Sequence, residues 1–507
     1  MSIHGPILRR LISAPWRTVA VDDRRSWRAG AMLTAAVNLA DELSGVNRSD
    51  TLGVMLPTGG AFPVAALAGW MLGKTIVPLN YLLAREELEY VIHHSGADTV
   101  VTAGPLLEHM KHEPAGARLV RLETLPLARF PAPVRPRGAD DGDLAAILYT
   151  SGTEGRPKGV MLTHGNLRAN IRQIQQWIHF TRRDSLFGVL PQFHSFGFTV
   201  LTLLPLSVGC GVAYEARFTP ARIVRRLAER RPTVLVAIPS MYNALLSVKD
   251  ATPADFASLR LLVSGGEPLP RPLFERFRER FGKEIQEGYG LTETAPVTNW
   301  LRPGNGPFGT VGLPLPEIEE RIVDLDTGRA LPPNRDGEVR IKGPNVMKGY
   351  FRDPDATREA FDDDGFFRTG DIGRLDARGR LAITGREKEM IIVGGENVFP
   401  REIEDVLGRH ESVGACGVIG VADPMRGEEP VAFVEVEDGR AFDERALRAF
   451  CRSNLASYKV PRRIHAVDAL PKGPTGKVLR RALRDLLPDA GPAADLNAQE
   501  RTRTSTP

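Results

Sequence analysis

Tyr149-Thr-Ser-Gly-Thr-Glu-Gly-Arg-Pro-Lys-Gly159 follows an apolar run, Leu144 to Tyr149, and precedes an amphipathic stretch, Asn166 to Ile178. The apolar run reads as a buried strand. In the stretch, Leu167, Ile171, Ile174 and Ile178 recur at three- and four-residue steps, the spacing of one helix face. Between strand and helix lie three glycines, three hydroxyl side chains and Lys158. Glycines let backbone N–H groups converge on an anion, and hydroxyls and a lysine add donors and charge. That composition suits a polyphosphate. It is not the P-loop pattern, because no Gly-Lys-Ser/Thr closes it. A flexible Gly/Ser loop is the bland alternative, and the full string is far more specific than a Gly-rich loop alone.

The same alternation extends to both sides. Leu52 to Leu56, Thr99 to Thr102, Leu186 to Leu190, Val234 to Ile238 and Arg260 to Val263 read as further buried strands, and Phe62 to Leu72 as a helix. This rhythm predicts α/β architecture with at least one sheet covered on both faces. From Arg321 to Ile341, Thr327-Gly328 and Asp336-Gly337 punctuate shorter strands, which predicts a small β-rich, antiparallel section. Near residue 386 the character changes. Helix Arg401 to Leu407, strands Gly417 to Val421 and Val431 to Val436, helix Glu444 to Asn454 and strand Arg463 to Val467 predict a small α+β domain. After Leu487 the chain turns to Pro, Ala, Asp, Thr and Ser, the composition of a disordered tail. The expected division is therefore 1–385, 386–487 and a tail, 488–507.

Bulk properties narrow the class. The chain has 507 residues and a net charge of +4, its 66 basic residues interspersed with 62 acidic ones. A nucleic-acid footprint would concentrate basic charge on one face, so nucleic acid is not an expected partner. The Arg-rich stretch Arg222 to Arg231 has Ile223, Val224 and Leu227 at helical spacing and reads as a solvated helix face. Cys210, Cys416 and Cys451 are far apart and in no metal-ligand spacing. They fit a reducing cytoplasm, as small core hydrophobes. Met1 to Arg10 lacks the apolar run of a secretory signal, and Thr199 to Tyr214 is too interrupted to span a membrane. Peripheral membrane contact stays open.

Four more segments carry chemistry: Pro191-Gln-Phe-His-Ser-Phe-Gly197; Ser264-Gly-Gly-Glu-Pro268 with Glu287-Gly-Tyr-Gly-Leu-Thr-Glu293; Thr369-Gly-Asp371 with Arg386; and Pro471-Lys-Gly-Pro-Thr-Gly-Lys477. An aromatic face can offer π contact to a base, and a carboxylate suits Mg²⁺ or the paired hydroxyls of a ribose. Taken singly, Lys477 reads as a solvated lysine, Thr369-Gly-Asp371 as a common turn and His194 as structural.

Together these strings resemble the adenylate-forming superfamily, which includes acyl-CoA synthetases, luciferases and nonribosomal-peptide adenylation domains. The resemblance runs from about residue 50 to about 485 and implies roles position by position. Thr150, Ser151, Gly152, Thr153 and Lys158 hold the phosphates. Glu154 departs, standing where most members carry Thr or Ser, and its charge argues against a phosphate contact there. His194 borders the carboxylate pocket. Gly266, Glu267, Pro268, Tyr289 and Gly290 enclose adenine. Thr292 donates to the α-phosphate, Glu293 holds Mg²⁺, and Asp371 with Arg386 takes the ribose. Lys477 is the catalytic lysine. Lys388, in Gly385-Arg-Glu-Lys-Glu389, is the pivot on which a mobile C-terminal lid turns between two half-reactions. Gly394-Gly395 resembles the loop lining the thiol tunnel.

The resemblance implies an acid–thiol ligase that uses ATP, Mg²⁺ and coenzyme A. A small-molecule carboxylate, a medium- or long-chain fatty acid, is activated as acyl-AMP. Several strings also resemble the ligase half of bifunctional acylglycerophosphoethanolamine acyltransferase/acyl-carrier-protein synthetase, so acyl carrier protein is the alternative acceptor. A non-catalytic nucleotide-binding member of the fold is the rival from another class, and the presence of Lys477 and Glu293 argues against it. An amino-acid adenylation domain needs an acidic residue early between His194 and Ser264, and Glu215 does not match.

Overall fold

Hydrophobic patterning sets the layers. Every residue of strands Thr51–Val54, Thr75–Pro78, Thr99–Thr102, Val234–Ala237 and Leu261–Ser264 is buried. Strands buried on both faces belong to sheets covered on both sides. The computed structural model, which describes residues 1–131, 134–150, 156–304, 306–437, 439–472 and 478–487, builds two such sheets. It separates into two units, Met1–Ile383 and Thr384–Pro507.

In the larger unit, one sheet runs in the order Val297–Trp300, Ile285–Gly290, Leu261–Ser264, Val234–Ala237, Ser185–Gly188, Gly211–Tyr214, Thr18–Val21, Ser26–Arg28. It is parallel except at its two ends, where the outermost strands pair antiparallel. The other runs Gly349–Tyr350, Lys158–Thr163, Leu144–Thr150, Thr75–Pro78, Thr51–Val54, Thr99–Thr102, Arg118–Arg121. A four-stranded sheet begins with Glu319–Val323 paired antiparallel to Gly337–Lys342. These are the expected covered sheets and the expected β-rich section.

Helix Pro220–Arg230 buries Ile223, Val224 and Leu227, as its spacing requires. Its arginines pair outward, Arg222 with Asp23 and Glu215, Arg226 with Glu215 and Glu229. Cys210 and Cys451 are buried, whereas Cys416 is only half-buried, short of full core burial. The Thr199 to Tyr214 region is a π-helical turn Thr199–Leu203, a short helix Leu204–Val208 and a strand. Among the described residues, no helix is long and apolar enough to cross a membrane.

In the smaller unit, the long hairpin Val413–Asp423 and Gly427–Val436 is flanked by Arg463–Val467, parallel, and by Ile391–Val393 with Glu396–Val398. Helices Pro400–Leu407 and Glu444–Asn454 supply Ile403, Val406, Leu407, Leu447 and Cys451 to its core. Residues 488–507, expected as a tail, lie outside the described residues.

Candidate active site

Strands Leu144–Thr150 and Lys158–Thr163 pair antiparallel with Thr150 opposite Lys158. The two strands form a hairpin that brings the two ends of the Tyr149–Gly159 string opposite each other. Ser151, Gly152, Thr153 and Glu154 lie outside the described residues. Tyr149 fixes the hairpin's base: its hydroxyl lies 2.7 Å from His94 Nδ1. Burial pushes the Tyr149 phenol well above its ordinary pKa and lowers that of His94, so the phenol donates to a neutral ring.

Strand Gly349–Tyr350 adds to the free edge of that hairpin, Tyr350 opposite Val160. Tyr350 Oη donates to Glu293 Oε1 at 3.0 Å, and Lys158 Nζ lies 5.4 Å from the centre of the Tyr350 ring. Lys158 and Glu293 therefore meet the same phenol. Burial first, and the Glu293 charge second, raise the Tyr350 pKa and keep it a donor. A carboxylate oriented by one phenol suits Mg²⁺, which is held by one or two carboxylates plus substrate phosphates. Among the described residues, no group of three or more His, Cys, Asp or Glu side chains is placed to cage a metal.

Glu293 and Thr292 sit on the turn Thr292–Thr294, after strand Ile285–Gly290. A Cβ on Gly290 would lie 1.8 Å from the Pro296 carbonyl oxygen, so only glycine lets the next strand fold back there. The turn is held from behind: Met347 N donates to Glu293 O, and Asn345 Nδ2 to Thr294 O, each at 2.7 Å. Asn166 braces the same segment by donating to Pro344 O and Val346 O, while capping its own helix with Thr163.

Thr292 Oγ1 donates to Ser195 Oγ at 3.1 Å, tying this turn to His194. Gln192 fixes the approach to His194 by accepting from Gly59 N at 2.8 Å and donating to Thr202 Oγ1 at 2.9 Å. His194 reaches solvent, yet partial desolvation holds its pKa below the ordinary value, so the ring is neutral at pH 7. Gly266, Glu267 and Pro268 follow strand Leu261–Ser264, whose end pairs with Glu287. Leu269 N donates to Glu287 Oε1 at 3.2 Å and closes that turn.

Tyr289 Oη donates to Asp371 Oδ2 at 2.6 Å. Asp371 stands in strand Phe367–Leu375 and is buried. Its N–H donates to Thr369 Oγ1, which donates to Val339 O. Within the larger unit, then, Thr150, Lys158, His194, Gly266 to Pro268, Tyr289, Gly290, Thr292, Glu293 and Asp371 form one connected set. The expectation missed Ser195, Tyr350 and Asn166. Ser195 lies inside a quoted motif. Only the Gly349-Tyr350-Phe351 aromatic pair signals the second, and nothing local signals the third.

In the smaller unit, Arg386 ends strand Leu381–Arg386 and Lys388 lies in the 3₁₀ turn Glu387–Glu389. The next residue, Glu389, pairs with Arg480 at 2.7 Å, and Arg480 also grips both oxygens of Glu404 at 2.9 and 2.7 Å. Gly394 and Gly395, at φ 61° and 89°, join two strands that pair Val393 with Glu396. A two-residue hairpin turn with both φ positive strongly favours glycine. Lys477 lies outside the described residues; Lys472 and Val478, which flank residues 473–477, form a bridge.

Residues 12–351 match the family described as AMP-binding enzyme, and residues 402–477 match the AMP-binding enzyme C-terminal domain. The chain is 35% identical over 445 residues to a feruloyl-CoA synthase of an Amycolatopsis species, covering 87% of this chain and 89% of that one. It is 34% identical over 487 residues to a long-chain-fatty-acid–CoA ligase of Escherichia coli, covering 87% and 86%. The solved structure of ATP-bound MatB from Rhodopseudomonas palustris superposes with a TM-score of 0.87 at 31% identity, covering 96% of this chain and 99% of that one.

Proposed function

The chain belongs to the AMP-binding enzyme family, and we propose that it joins a medium- or long-chain fatty acid to coenzyme A. It is an adenylate-forming acid–thiol ligase, and such enzymes use ATP, Mg²⁺ and coenzyme A. In the first half-reaction a carboxylate oxygen attacks the α-phosphorus of ATP and pyrophosphate leaves. In the second, a thiol sulfur attacks the acyl carbon and AMP leaves with its electron pair.

One observation carries the reading. The stretch from Tyr289 to Glu293 reaches Asp371 at one end, Ser195 through Thr292 in the middle, and Tyr350 at the other end. Base, ribose, α-phosphate and metal functions can thus be served from one rigid element. In this reading Tyr289 stacks on adenine beside Gly266, Glu267, Pro268 and Gly290, and Asp371 with Arg386 takes the ribose hydroxyls. Thr150, Ser151, Gly152, Thr153 and Lys158 hold the outer phosphates. Thr292 donates to the α-phosphate and Glu293 holds Mg²⁺. Neutral His194 borders the acid's carboxylate. Lys477 stabilises charge as carboxylate and phosphate approach. Residues 386–487 act as a lid that turns on Lys388 between the half-reactions.

The acyl assignment rests on apolar surroundings. A Cβ on Gly265 would lie 3.0 Å from Phe196. Phe193 and Phe196 flank His194 in sequence. These side chains favour a hydrocarbon tail over a second anionic group. Coenzyme A is ranked above acyl carrier protein, in keeping with the relatives' names. A reducing cytoplasm, where ATP and coenzyme A are at hand, fits the free cysteines.

The test is a product assay with ATP, Mg²⁺, coenzyme A and a panel of acids: saturated fatty acids of graded length, ferulate and a short dianionic acid. Acyl-CoA and AMP should form in equal amounts, with the highest kcat/KM on medium or long chains. ADP as the product would overturn the adenylation reading. Ferulate as the best substrate would reassign the acyl group alone.

A further inference from the structure

Helix His4–Ser13 turns His4, Ile7, Leu8 and Leu11 into the larger unit's core. Its outer face carries Arg9, Ile12 and Ser13 at helical spacing, with Arg10 alongside. Beside this face lies a cleft of about 380 Å³, lined by Pro6, Arg9, Arg10, Ser13, Arg182 and Ser207. No carboxylate lines it. Arg9, Arg10, Arg17, Arg182 and Arg183 form no ion pair among the described residues, unlike Arg222 and Arg226 on helix Pro220–Arg230. The nearest acid in sequence, Asp184, is turned inward onto Arg260 and Thr233. Ser207 Oγ is buried without a hydrogen-bond partner.

Two large apolar side chains, one on this helix and one just past its end, are exposed. Ile12 is 63% exposed and Trp16 is 73% exposed. Trp16 is not on a loose end. Arg17 N donates to Ala14 O at 3.0 Å, while Gly30 N and Ala29 N donate to Pro15 O and Arg17 O at 2.8 Å. Arg17 also donates through its guanidinium to the Arg182 carbonyl, which fixes the turn against the cleft's far wall. A rigid turn therefore presents an indole to water beside uncompensated guanidinium groups.

Indoles favour the headgroup level of a bilayer, and clustered basic side chains are drawn to anionic lipid. We propose that this face docks on the surface of an anionic bilayer. A lipid phosphate enters the cleft among Arg9, Arg10, Arg182 and Ser207, and Trp16 and Ile12 insert at the headgroup level. Charge complementarity selects this occupant: the cleft offers cations with no acid, and the exposed Ile12 and Trp16 give a free phosphate nothing to bury. None of these residues belongs to the adenylation site, and the proposal holds whichever acid is activated.

The test is co-sedimentation of the full chain with phosphatidylcholine vesicles, with and without phosphatidylglycerol. Binding should require the anionic lipid and weaken with salt. The double variant R9A/R182A and the double variant I12S/W16S should each lose at least tenfold in partition constant. R9K/R182K should recover most of it. All should keep wild-type turnover of a dissolved acid without vesicles, which reports that they are folded. Wild-type chain that ignores anionic vesicles, or variants that bind like wild type, would overturn the proposal. So would a dimer that I12S/W16S dissociates while vesicle binding is unchanged, since the face would then be a contact between copies.

Discussion

Tyr289 Oη and Asp371 Oδ2 stand 2.6 Å apart, the phenol donating to a carboxylate 82 positions further along the chain. The bond ties the Tyr289 hydroxyl to the Asp371 carboxylate and holds both in place. Tyr289→Phe keeps the ring and removes the donor. The KM for ATP should rise roughly ten- to a hundredfold, because a hydrogen bond to a charged group contributes roughly 1.5–3 kcal/mol. Asp371→Ala should weaken ATP binding further in a folded protein. Unchanged ATP affinity in both variants would remove this pair from the nucleotide site.

Glu320 supplies a pH dependence that is independent of catalysis. Asn299 Nδ2 donates to Glu320 Oε2 at 3.2 Å, while Glu320 Oε1 is buried without a partner. Burial pushes this carboxyl from its ordinary 4.5 to about 8. Between those values the folded chain keeps a proton that the unfolded chain has lost. This group's contribution to stability therefore falls as pH rises from about 4.5 to about 8 and is level beyond. Glu320→Gln removes the titration. Its Tm relative to wild type should climb across that window, by a few degrees at pH 9. A pH-independent difference would show that the carboxyl titrates normally.

Arg480 locks the turn bearing Lys388 to helix Pro400–Leu407 by pairing with Glu389 and Glu404 at once. Burial raises the Glu404 pKa against the opposing pull of Arg480. Arg480→Ala leaves that carboxylate without its cation. Breaking a fully buried pair costs about 3–5 kcal/mol. Here the arginine and Glu404 side chains are 23% and 18% exposed, so a smaller loss is expected. The loss should be larger at pH 8 than at pH 5, where Glu404 is more readily protonated. Chemical denaturation at the two pH values measures it.

Lys388 tests the two-pose reading. Proline there fixes φ and restricts Glu387. Lys388→Pro should retain much of the ATP–pyrophosphate exchange and lose most thioester formation. Equal loss of both, or full overall activity, contradicts a lid that must turn.

Local signals made most of the framework readable. Helix Glu444–Asn454 and strand Arg463–Val467 fall where spacing predicted. Strand Lys158–Thr163 was passed over because its glycine and lysine mask a short alternation in which Val160 and Leu162 are buried. Helix Ala29–Ser44 was likewise unread, its alanines giving a broad buried face. The site was legible as separate strings, because each carries its own chemistry. What joins them was not. The Thr292–Ser195, Glu293–Tyr350 and Tyr289–Asp371 bonds each span more than fifty positions, and only the fold decides those meetings.

The central claim is adenylation of a carboxylate, and ATP–pyrophosphate exchange without coenzyme A tests it most directly. Wild-type chain given Mg²⁺, ATP, labelled pyrophosphate and its preferred fatty acid should exchange label, and should not do so when the acid is omitted. Lys477→Ala should lose most of that exchange, on the order of 3–4 kcal/mol of transition-state stabilisation, yet still convert supplied acyl-AMP to thioester. Exchange that is absent in the wild type with every acid tried, or that persists in Lys477→Ala, would contradict the account.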